Sequence, residues 1–149
     1  MRVVKQFSVF LINKPGVLAQ VVTALAKARI NVIALTLVDS SEHGVLRLVC
    51  EDPQEALKVL TRTQDVVTET DVLAMELTNE PGALAGVAEK LARAHININY
   101  AYVTGGAPGG RTTAIFKVAD LNKALHVLKP AADNRGPDRT VRVAPGRRR

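Results

Sequence analysis

The sequence has few aromatic residues and a single cysteine. Aromatic side chains make up 3% of the 149 residues, with no tryptophan, so the chain offers no stacking platform for nucleic-acid bases. Cys50 alone excludes an internal disulfide and a cysteine-rich zinc site, and we therefore expect a reducing, cytoplasmic compartment. No apolar run approaches the roughly 20 residues of a membrane span. The apolar run Val9–Ile12 is too short for a signal-peptide core.

Positive charge is concentrated at the C-terminus. The formal net charge is +6, and residues 129–149 contain seven basic and two acidic side chains, a net of +5. The preceding 128 residues therefore carry a net charge of +1. A three-arginine end, residues 147–149, without a positioned basic face is typical of a solvated terminus rather than a nucleic-acid-binding arm. The hydrophobic share of 47% excludes a disordered chain.

The chain contains an internal repeat. Residues 13–33 and 79–99 share 11 identities in 21 aligned positions at an offset of 66, and both begin with Asn-x-Pro-Gly. A second block, Ala56–Leu60, matches Ala124–Leu128 at an offset of 68. The change of offset places a two-residue insertion near the glycine-rich segment 105–110. The repeat indicates two homologous modules of about 70 residues, with domains at 1–70 and 71–149 and a basic tail at about 135–149.

Each module has the pattern of strand, helix, strand, strand, helix and strand. Pro15 and Pro81 suit the first position of a helix, and Asp52 and Asp120 suit the N-caps of the second helices. The predicted strands are Phe7–Ile12, Asn31–Val38, Val45–Cys50 and Val66–Glu69 in the first copy, and Leu73–Thr78, Asn97–Val103, Thr112–Val118 and Thr140–Val143 in the second.

This order predicts an α+β fold of two ferredoxin-like βαββαβ modules, each an antiparallel four-stranded sheet with two helices on one face. The second strands are apolar on both alternating faces. A sheet with helices on one side leaves the other face exposed to water, so we expect that face, or a sheet edge, to be covered by the other module or another subunit.

No arrangement of catalytic or metal-binding residues is recognisable. None of His43, His95 and His126 forms a metal-binding pair or lies beside a Ser or Cys nucleophile in a known pattern. We therefore predict no catalytic residues, no metal and no cofactor. The glycine-rich segment 105–110 lacks the Lys-Ser/Thr of a phosphate loop and joins two strands, which favours a flexible hairpin tip; covering a neighbouring site is an alternative role.

The Asn-x-Pro-Gly turn is the sharpest functional signal. Free N–H groups and the dipole at a helix start favour a carboxylate, and the glycine lets a ligand approach the backbone. Asn31 and Asn97 each lie 18 residues beyond the turn asparagine, at the start of the second strand. We expect both asparagines of a copy to frame one crevice suited to a zwitterion. The alternative is that Asn13 and Asn79 only cap a helix or turn, and the residues alone leave both open.

The pattern Asn-x-Pro-Gly-x-Leu, followed by a helical stretch and Ile-Asn-Val or Ile-Asn-Ile, resembles the ACT domain, the small regulatory module of amino-acid metabolism. Both copies match and cover nearly the whole chain, which looks like a free-standing tandem ACT protein. The resemblance implies a ferredoxin-like fold, pairing of modules edge to edge or sheet to sheet, and an amino-acid effector bound at the interface by the turn and the second strand. The ligand-binding residues that it implies are Asn13, Pro15, Gly16, Val17, Leu18, Asn31, Val32, Ile33, Asn79, Pro81, Gly82, Ala83, Leu84, Asn97, Ile98 and Asn99.

Two departures from the family pattern bear on function. Serine-binding members of the family place a histidine two residues before the turn asparagine, where this chain has Leu11 and Leu77. That difference favours a more apolar amino acid, branched or aromatic. No catalytic or DNA-binding domain is attached in this sequence, so we expect regulation to act in trans on a partner, a metabolic enzyme or a regulator.

We therefore predict a cytoplasmic, non-enzymatic tandem ACT protein that binds an amino acid and forms a homodimer, with neither a membrane nor a nucleic acid as partner. Three alternatives stay open: a small enzyme on the same fold, a nucleic-acid binder that uses the basic tail, and a structural pair without ligand. The two crevices need not be equivalent, because Lys14 aligns with Glu80 and Gln20 with Gly86.

Overall fold

A computed structural model describes residues 1–39 and 43–130. Four helices and six strands lie in this part of the chain, and the longest helices have 11 residues, so none of them has the length and apolar character needed to cross a bilayer. The helices are α1, Val17–Lys27; α2, Pro53–Thr63; α3, Ala83–Arg93; and α4, Leu121–Leu128. The strands are β1, Arg2–Ile12; β2, Val32–Asp39; β3, His43–Cys50; β4, Val67–Thr78; β5, Ile98–Val103; and β6, Arg111–Val118.

The strands form one antiparallel sheet in the order β2-β3-β1-β4-β6-β5. The first module uses β2, β3, β1 and β4, and the second uses β1, β4, β6 and β5, so the two central strands belong to both modules. Each module is thus a four-stranded ferredoxin-like sheet, and the predicted α+β fold class is confirmed. The two sheets are continuous because β1 and β4 are long enough, at 11 and 12 residues, to pair with strands of both copies.

The pairing of β1 with β4 follows the sequence repeat. Arg2 lies opposite Ala74 and Val9 lies opposite Val67, a register that places Lys5 opposite Asp71. Positions 5 and 71 differ by 66, the offset of the repeat, so Lys5 and Asp71 are equivalent positions of the two copies and face each other. A pseudo-two-fold axis therefore passes through the Lys5–Asp71 pair.

Two predicted strand ends change in the structure. The first strand begins at Arg2 instead of Phe7, and the strands predicted at Val66–Glu69 and Leu73–Thr78 are one continuous strand, β4. The boundary proposed between residues 70 and 71 lies inside this strand. The last strand predicted for the second copy, 140–143, lies outside the described residues. By analogy with the first copy that strand would pair with β4, and residues 2–4 of β1 occupy this position.

The helix ends are defined by turns and caps. The Asp52 carboxylate accepts a hydrogen bond from the Glu55 amide over 3.1 Å, and Asp120 accepts one from the Lys123 amide over 2.9 Å, as predicted for N-caps. The prediction for the prolines of the Asn-x-Pro-Gly turns is wrong by two residues. Pro15 and Pro81 lie in the turns, and α1 and α3 begin at the residues after the glycines.

Three hydrophobic clusters hold the sheet. One packs α1 and α2 on the first copy and a second packs α3 and α4 on the second copy. The third lies on the face opposite the helices and joins Ala34 and Val49 of the first copy to Ile115 of the second through Val72 and Ala74 of β4. The sheet curls so that its two edge strands, β2 and β5, approach each other. The face without helices is therefore covered by the other module, one of the two coverings that the sequence predicts.

Candidate functional site

The turn between β1 and α1 leaves the start of the helix without a side-chain cap. Gly16 adopts the left-handed conformation with φ +88°, and no side chain accepts a hydrogen bond from the first turn of α1. The first amides of a helix have no acceptor within the helix, so they remain available to a ligand. The interpretation of Asn13 as a helix cap is therefore wrong.

Asn13 instead contacts the end of the neighbouring edge strand. Its Nδ2 atom donates a hydrogen bond to Oδ1 of Asp39 over 2.8 Å, and both side chains are exposed to solvent. Both residues line a cavity of about 90 Å³ beside the start of α1. The lining is mostly apolar, and comprises Leu11, Ile12, Asn13, Lys14, Val17, Leu18, Leu37, Val38, Asp39 and Gly44. The crevice therefore combines a carboxylate, uncapped helix amides and aliphatic side chains.

The corresponding turn of the second copy is closed by its own hairpin loop. The Asn79 side chain donates to the carbonyls of Gly106 and Ala107 over 2.9 and 3.1 Å. Its backbone amide also donates to the Gly110 carbonyl over 2.7 Å, and its carbonyl accepts from the Gly109 amide over 3.1 Å. The glycine-rich segment thus covers the second turn and uses the hydrogen-bonding groups of Asn79.

The two copies also differ in charge at this position. Residue 39 corresponds to residue 105 at the offset of 66, so Asp39 is replaced by Gly105 in the second copy. Gly82 has nearly the same left-handed conformation as its counterpart, φ +91°, and α3 likewise has no side-chain cap. The backbone of the turn is therefore preserved in both copies, whereas a carboxylate at the position of Asp39 occurs in the first alone.

The asparagines at the starts of the second strands lie at the other end of the sheet. β1 and β2 are both antiparallel to β3, so they run parallel to each other, and the end of one lies far from the start of the other. Asn13 follows the end of β1 and Asn31 precedes the start of β2. Within one chain they do not frame a common crevice, and that part of the prediction is wrong.

Asn31 has structural partners of its own. Its Nδ2 atom donates to Oε1 of Glu51 over 2.9 Å, and its carbonyl accepts from the Glu51 amide over 3.1 Å. The carbonyl of Asn97 accepts in the same way from the Ala119 amide over 3.0 Å. Asn31, Val32 and Ile33 line an open depression of about 670 Å³ together with the exposed first residues of β1. Each of these asparagines joins the start of one strand to the end of its neighbour.

The remaining predicted residues divide by copy and by end of the sheet. Val17 is buried and Leu18 half-buried at the first turn of α1, beside Pro15 and Gly16. Pro81 and Gly82 lie in the turn before α3, and Ala83 and the exposed Leu84 are the first residues of that helix. Ile98 packs into the second hydrophobic cluster, and Asn99 lies at a register irregularity of β5. The structure thus places three residues of one predicted set, Asn13, Val17 and Leu18, around one cavity.

Asp39 is the site residue that sequence reasoning missed. Its contact with Asn13 depends on where β2 ends, 26 residues along the chain. The available signal was the repeat itself, because Asp39 aligns with a glycine. Cys50 lies outside this crevice and is buried, and burial raises the pKa of its thiol to about 11. Among residues 1–39 and 43–130, no cluster of three or more His, Cys, Asp or Glu side chains is arranged to hold a metal ion.

Known proteins share this fold. The crystal structure of protein BT0572 from Bacteroides thetaiotaomicron is 35% identical, with a TM-score of 0.77, and the match covers 85% of this chain and 87% of that chain. The regulatory subunit of aspartate kinase from Thermus thermophilus, in its ligand-free form, is 19% identical, with a TM-score of 0.61 and coverage of 83% and 88%. The regulatory subunit of aspartate kinase from Thermus flavus is 21% identical, with a TM-score of 0.56 and coverage of 85% and 92%. The two Thermus structures show likeness of fold alone.

A family comparison adds sequence evidence to the fold. No curated protein matches the chain at a significant level. A family model described as an ACT domain pair matches residues 2–132, which include both copies of the repeat and all ten elements of the described structure. The chain belongs to the family of ACT domain pairs.

Proposed function

We propose that this protein is a regulatory sensor that binds a free amino acid in the crevice between Asn13 and Asp39 and alters the activity of a partner protein. The observation that carries the proposal is the Asn13–Asp39 hydrogen bond beside the uncapped start of α1. It sets a carboxylate and a helix start without a side-chain cap at the same cavity. An α-amino acid has the complementary pair of charges.

The crevice supplies partners for both charged groups of the ligand. The amides at the start of α1 and the helix dipole favour the ligand carboxylate, and Gly16 presents bare backbone beside them. The ammonium group would pair with Asp39, which uses one carboxylate oxygen for Asn13 and keeps the other. The side-chain oxygen of Asn13 adds an acceptor.

The lining favours a small aliphatic ligand side chain. Leu11, Val17 and Leu37 face the cavity, and its volume of about 90 Å³ is small. Leu11 occupies the position at which serine-binding members of the family carry a histidine, so the hydroxyl partner of serine is replaced by an apolar side chain. Apolar surface would stabilise a bound methyl or isopropyl group by about 0.8 kcal/mol per buried CH₂.

Two features support one binding site per chain. The hydrogen bonds of Asn79 are used by the loop around Gly106 and Ala107, and the second copy has Gly105 where the first has Asp39. A ligand at the second turn would have to displace that loop and would find no carboxylate at the position of Asp39, where the second copy has Gly105. The two copies therefore have separate roles, one for the ligand and one for structure.

A homodimer would place the ligand at an interface. β2 is an edge strand, and Leu35 and Leu37 beside the crevice are 41% and 46% exposed. An apolar edge strand without flanking lysine or proline favours pairing with a second strand, and a second copy added there would cover the crevice. Ligand binding would then favour the paired arrangement over the separate one, which is how a sensor of this kind transmits a signal to its partner protein.

Isothermal titration calorimetry with each of the twenty amino acids tests this function. We expect selective binding of a small aliphatic amino acid, and at least about tenfold weaker binding by Asp39→Asn, which corresponds to 1.4 kcal/mol. Asp65→Asn is the matched control, because Asp65 is an exposed aspartate between α2 and β4, away from the cavity. No binding by a folded wild-type protein, or equal binding by the wild type and Asp39→Asn, contradicts the proposal.

A further inference from the structure

A buried polar cluster lies on the face of the sheet opposite the helices. Gln6 of β1 is fully buried and makes two hydrogen bonds to β5. Its Nε2 atom donates to the hydroxyl of Tyr100 over 2.7 Å, and the hydroxyl of Tyr102 donates to its Oε1 atom over 2.8 Å. Burial raises the pKa of Tyr102, so this phenol stays protonated as a donor. These contacts join the two modules across the curled face.

Arg47 of β3 belongs to the same cluster and has no counter-charge. Its guanidinium carbon lies 4.1 Å from the centre of the Tyr100 ring, a cation–π contact. Its Nε atom is buried and has no hydrogen-bond partner. Within the described residues, no carboxylate forms an ion pair with it. A buried donor on a cation without a partner is unfavourable, so the site favours any acceptor that reaches it.

The groups around Arg47 are hydroxyls, and the hydroxyl of Ser8 accepts from Nε2 of Gln6 over 3.5 Å. Ser8 and Thr36 lie directly beside Arg47 in the register of the sheet, on β1 and β2, and paired residues share a face. The hydroxyl of Tyr100 accepts from Gln6, which leaves its own proton free to be donated. Arg47 and Tyr100 are half-buried, so a small solute can reach their exposed atoms, and a shift of the Arg47 side chain would bring its buried Nε atom to that solute. A cation surrounded by hydroxyl donors has the chemistry of an anion site.

The second copy shows that the fold does not require this cluster. The counterparts of Gln6 and Ser8 at the offset of 66 are Val72 and Ala74, and the pairing register makes Ile115 the counterpart of Arg47. Val72, Ala74 and Ile115 form the hydrophobic cluster on the same face. At these equivalent positions the second copy is therefore apolar, whereas the first copy holds an unpaired cation. Because the packing of the sheet does not require polar groups at these positions, their presence in the first copy favours a binding role.

We propose that Arg47, Tyr100 and Ser8 form a binding site for one small anion, a carboxylate group or an inorganic anion such as phosphate or chloride. The anion accepts hydrogen bonds from Nε of Arg47 and from the two hydroxyls, and it neutralises the guanidinium charge. The site lies on the sheet face opposite the helices, whereas the Asn13–Asp39 crevice is built at the start of α1. It is therefore a second site, independent of the amino-acid crevice. Because Gln6 and Tyr102 complete the cluster, an anion here also stabilises the contact between the two modules.

The tyrosines provide the measurement. The chain has two tyrosines and no tryptophan, and both tyrosines are in this cluster, so the near-UV circular dichroism of tyrosine reports on the site. We would titrate chloride, phosphate and acetate separately, with ionic strength held constant by the bulky buffer anion HEPES. A saturable change with at least one anion is expected in the wild type, and the anion that binds most tightly identifies the ligand chemistry.

Variants separate the site from general charge effects. Arg47→Leu should abolish the saturable change, whereas Arg93→Leu, which removes a cation that is 81% exposed on α3, should keep it. Asp39→Asn should also keep it, which distinguishes this site from the amino-acid crevice. If Arg47→Leu does not fold, Arg47→Lys retains the charge without the buried Nε donor and should bind at least about tenfold more weakly. No saturable change in the wild type, or an undiminished change in the folded Arg47 variant, overturns the proposal.

Discussion

Lys5 and Asp71 face each other at the centre of the sheet, with 2.7 Å between Nζ of the lysine and Oδ1 of the aspartate. They are the same position of the two copies, since 5 and 71 differ by the repeat offset. The hydrogen bond and the charge of Asp71 raise the pKa of Lys5. If the two copies had the same charged residue at this position, two like charges would face each other. Because both copies are in one chain, the position can differ between them and carry opposite charges.

Exchanging the charges of Lys5 and Asp71 tests whether their opposite charges stabilise the pairing of β1 with β4. Lys5→Asp places two carboxylates opposite each other and should lower the urea midpoint of unfolding, because like charges directly opposite on neighbouring strands repel. The double variant Lys5→Asp/Asp71→Lys should recover most of the loss. The difference should shrink in 1 M salt, since both side chains are exposed. A double variant as unstable as the single one would show that the pair has no such role.

The buried amide of Gln6 gives a second prediction. Gln6→Val introduces the residue found at the equivalent position 72 and removes both hydrogen bonds to β5. We expect the free energy of unfolding to fall by about 1–3 kcal/mol, because the hydroxyls of Tyr100 and Tyr102 lose their partner. Combining Gln6→Val with Tyr102→Phe should cost less than the sum of the two single changes. Strict additivity in urea unfolding would mean that the hydrogen bond to Tyr102 does not contribute.

The N-caps give a matched pair of variants. Asp52→Ala and Asp120→Ala should each lower the free energy of unfolding by about 1 kcal/mol, because each removes the acceptor for an amide in the first turn of a helix. Asp65→Ala is the control, since that aspartate is exposed and lies outside a helix start. Urea denaturation followed by far-UV circular dichroism measures all three. A cap variant that unfolds at the same midpoint as the control would contradict the assignment.

Stability should fall at alkaline pH. In the folded state, burial raises the pKa of Cys50 to about 11 and also raises the pKa of Tyr102, whereas in the unfolded chain these groups ionise near about 8.5 and 10. The unfolded state then loses protons before the folded state does. The contribution of Cys50 is complete below about pH 8.5 and is lost as pH rises toward 11.

Urea unfolding between pH 7 and pH 11 measures this loss. Cys50→Ala should show a shallower decline, because the thiol no longer titrates. In the wild type, the thiol should react with a disulfide reagent at pH 8 only after denaturation, since Cys50 is 5% exposed. Rapid reaction of the folded protein, or identical pH profiles for both proteins, would refute the assignment.

The repeat and the strand pattern were enough to predict the fold class. The motif at residues 13–16 located the turn, and Asp52 and Asp120 located two helix starts. The sharing of β1 and β4 between the modules was not predictable in this way, because register between copies is set by pairing over some 66 residues of chain. Residues 2–6, which extend β1 across the axis, carry no signal that distinguishes them from an unpaired terminus.

Only part of the candidate site could be predicted from the sequence, and the reason is physical. The turn motif is local, so Asn13 and Gly16 could be recognised from spacing alone. Asp39 reaches Asn13 through the sheet, and no local pattern marks it. The error over Asn31 arose from strand direction, since two strands joined through one helix on the same sheet face run parallel and place the end of the first far from the start of the second.

The number of amino acids bound per chain is the most direct test of the central claim that one crevice of this ACT domain pair binds ligand. Calorimetric titration of folded protein with the amino acid that binds most tightly should give one site per chain, weakened at least about tenfold in Asp39→Asn and unchanged in Asp65→Asn. Two equal sites per chain would show that the turn at Asn79 also binds ligand, and would contradict the assignment of separate roles to the two copies.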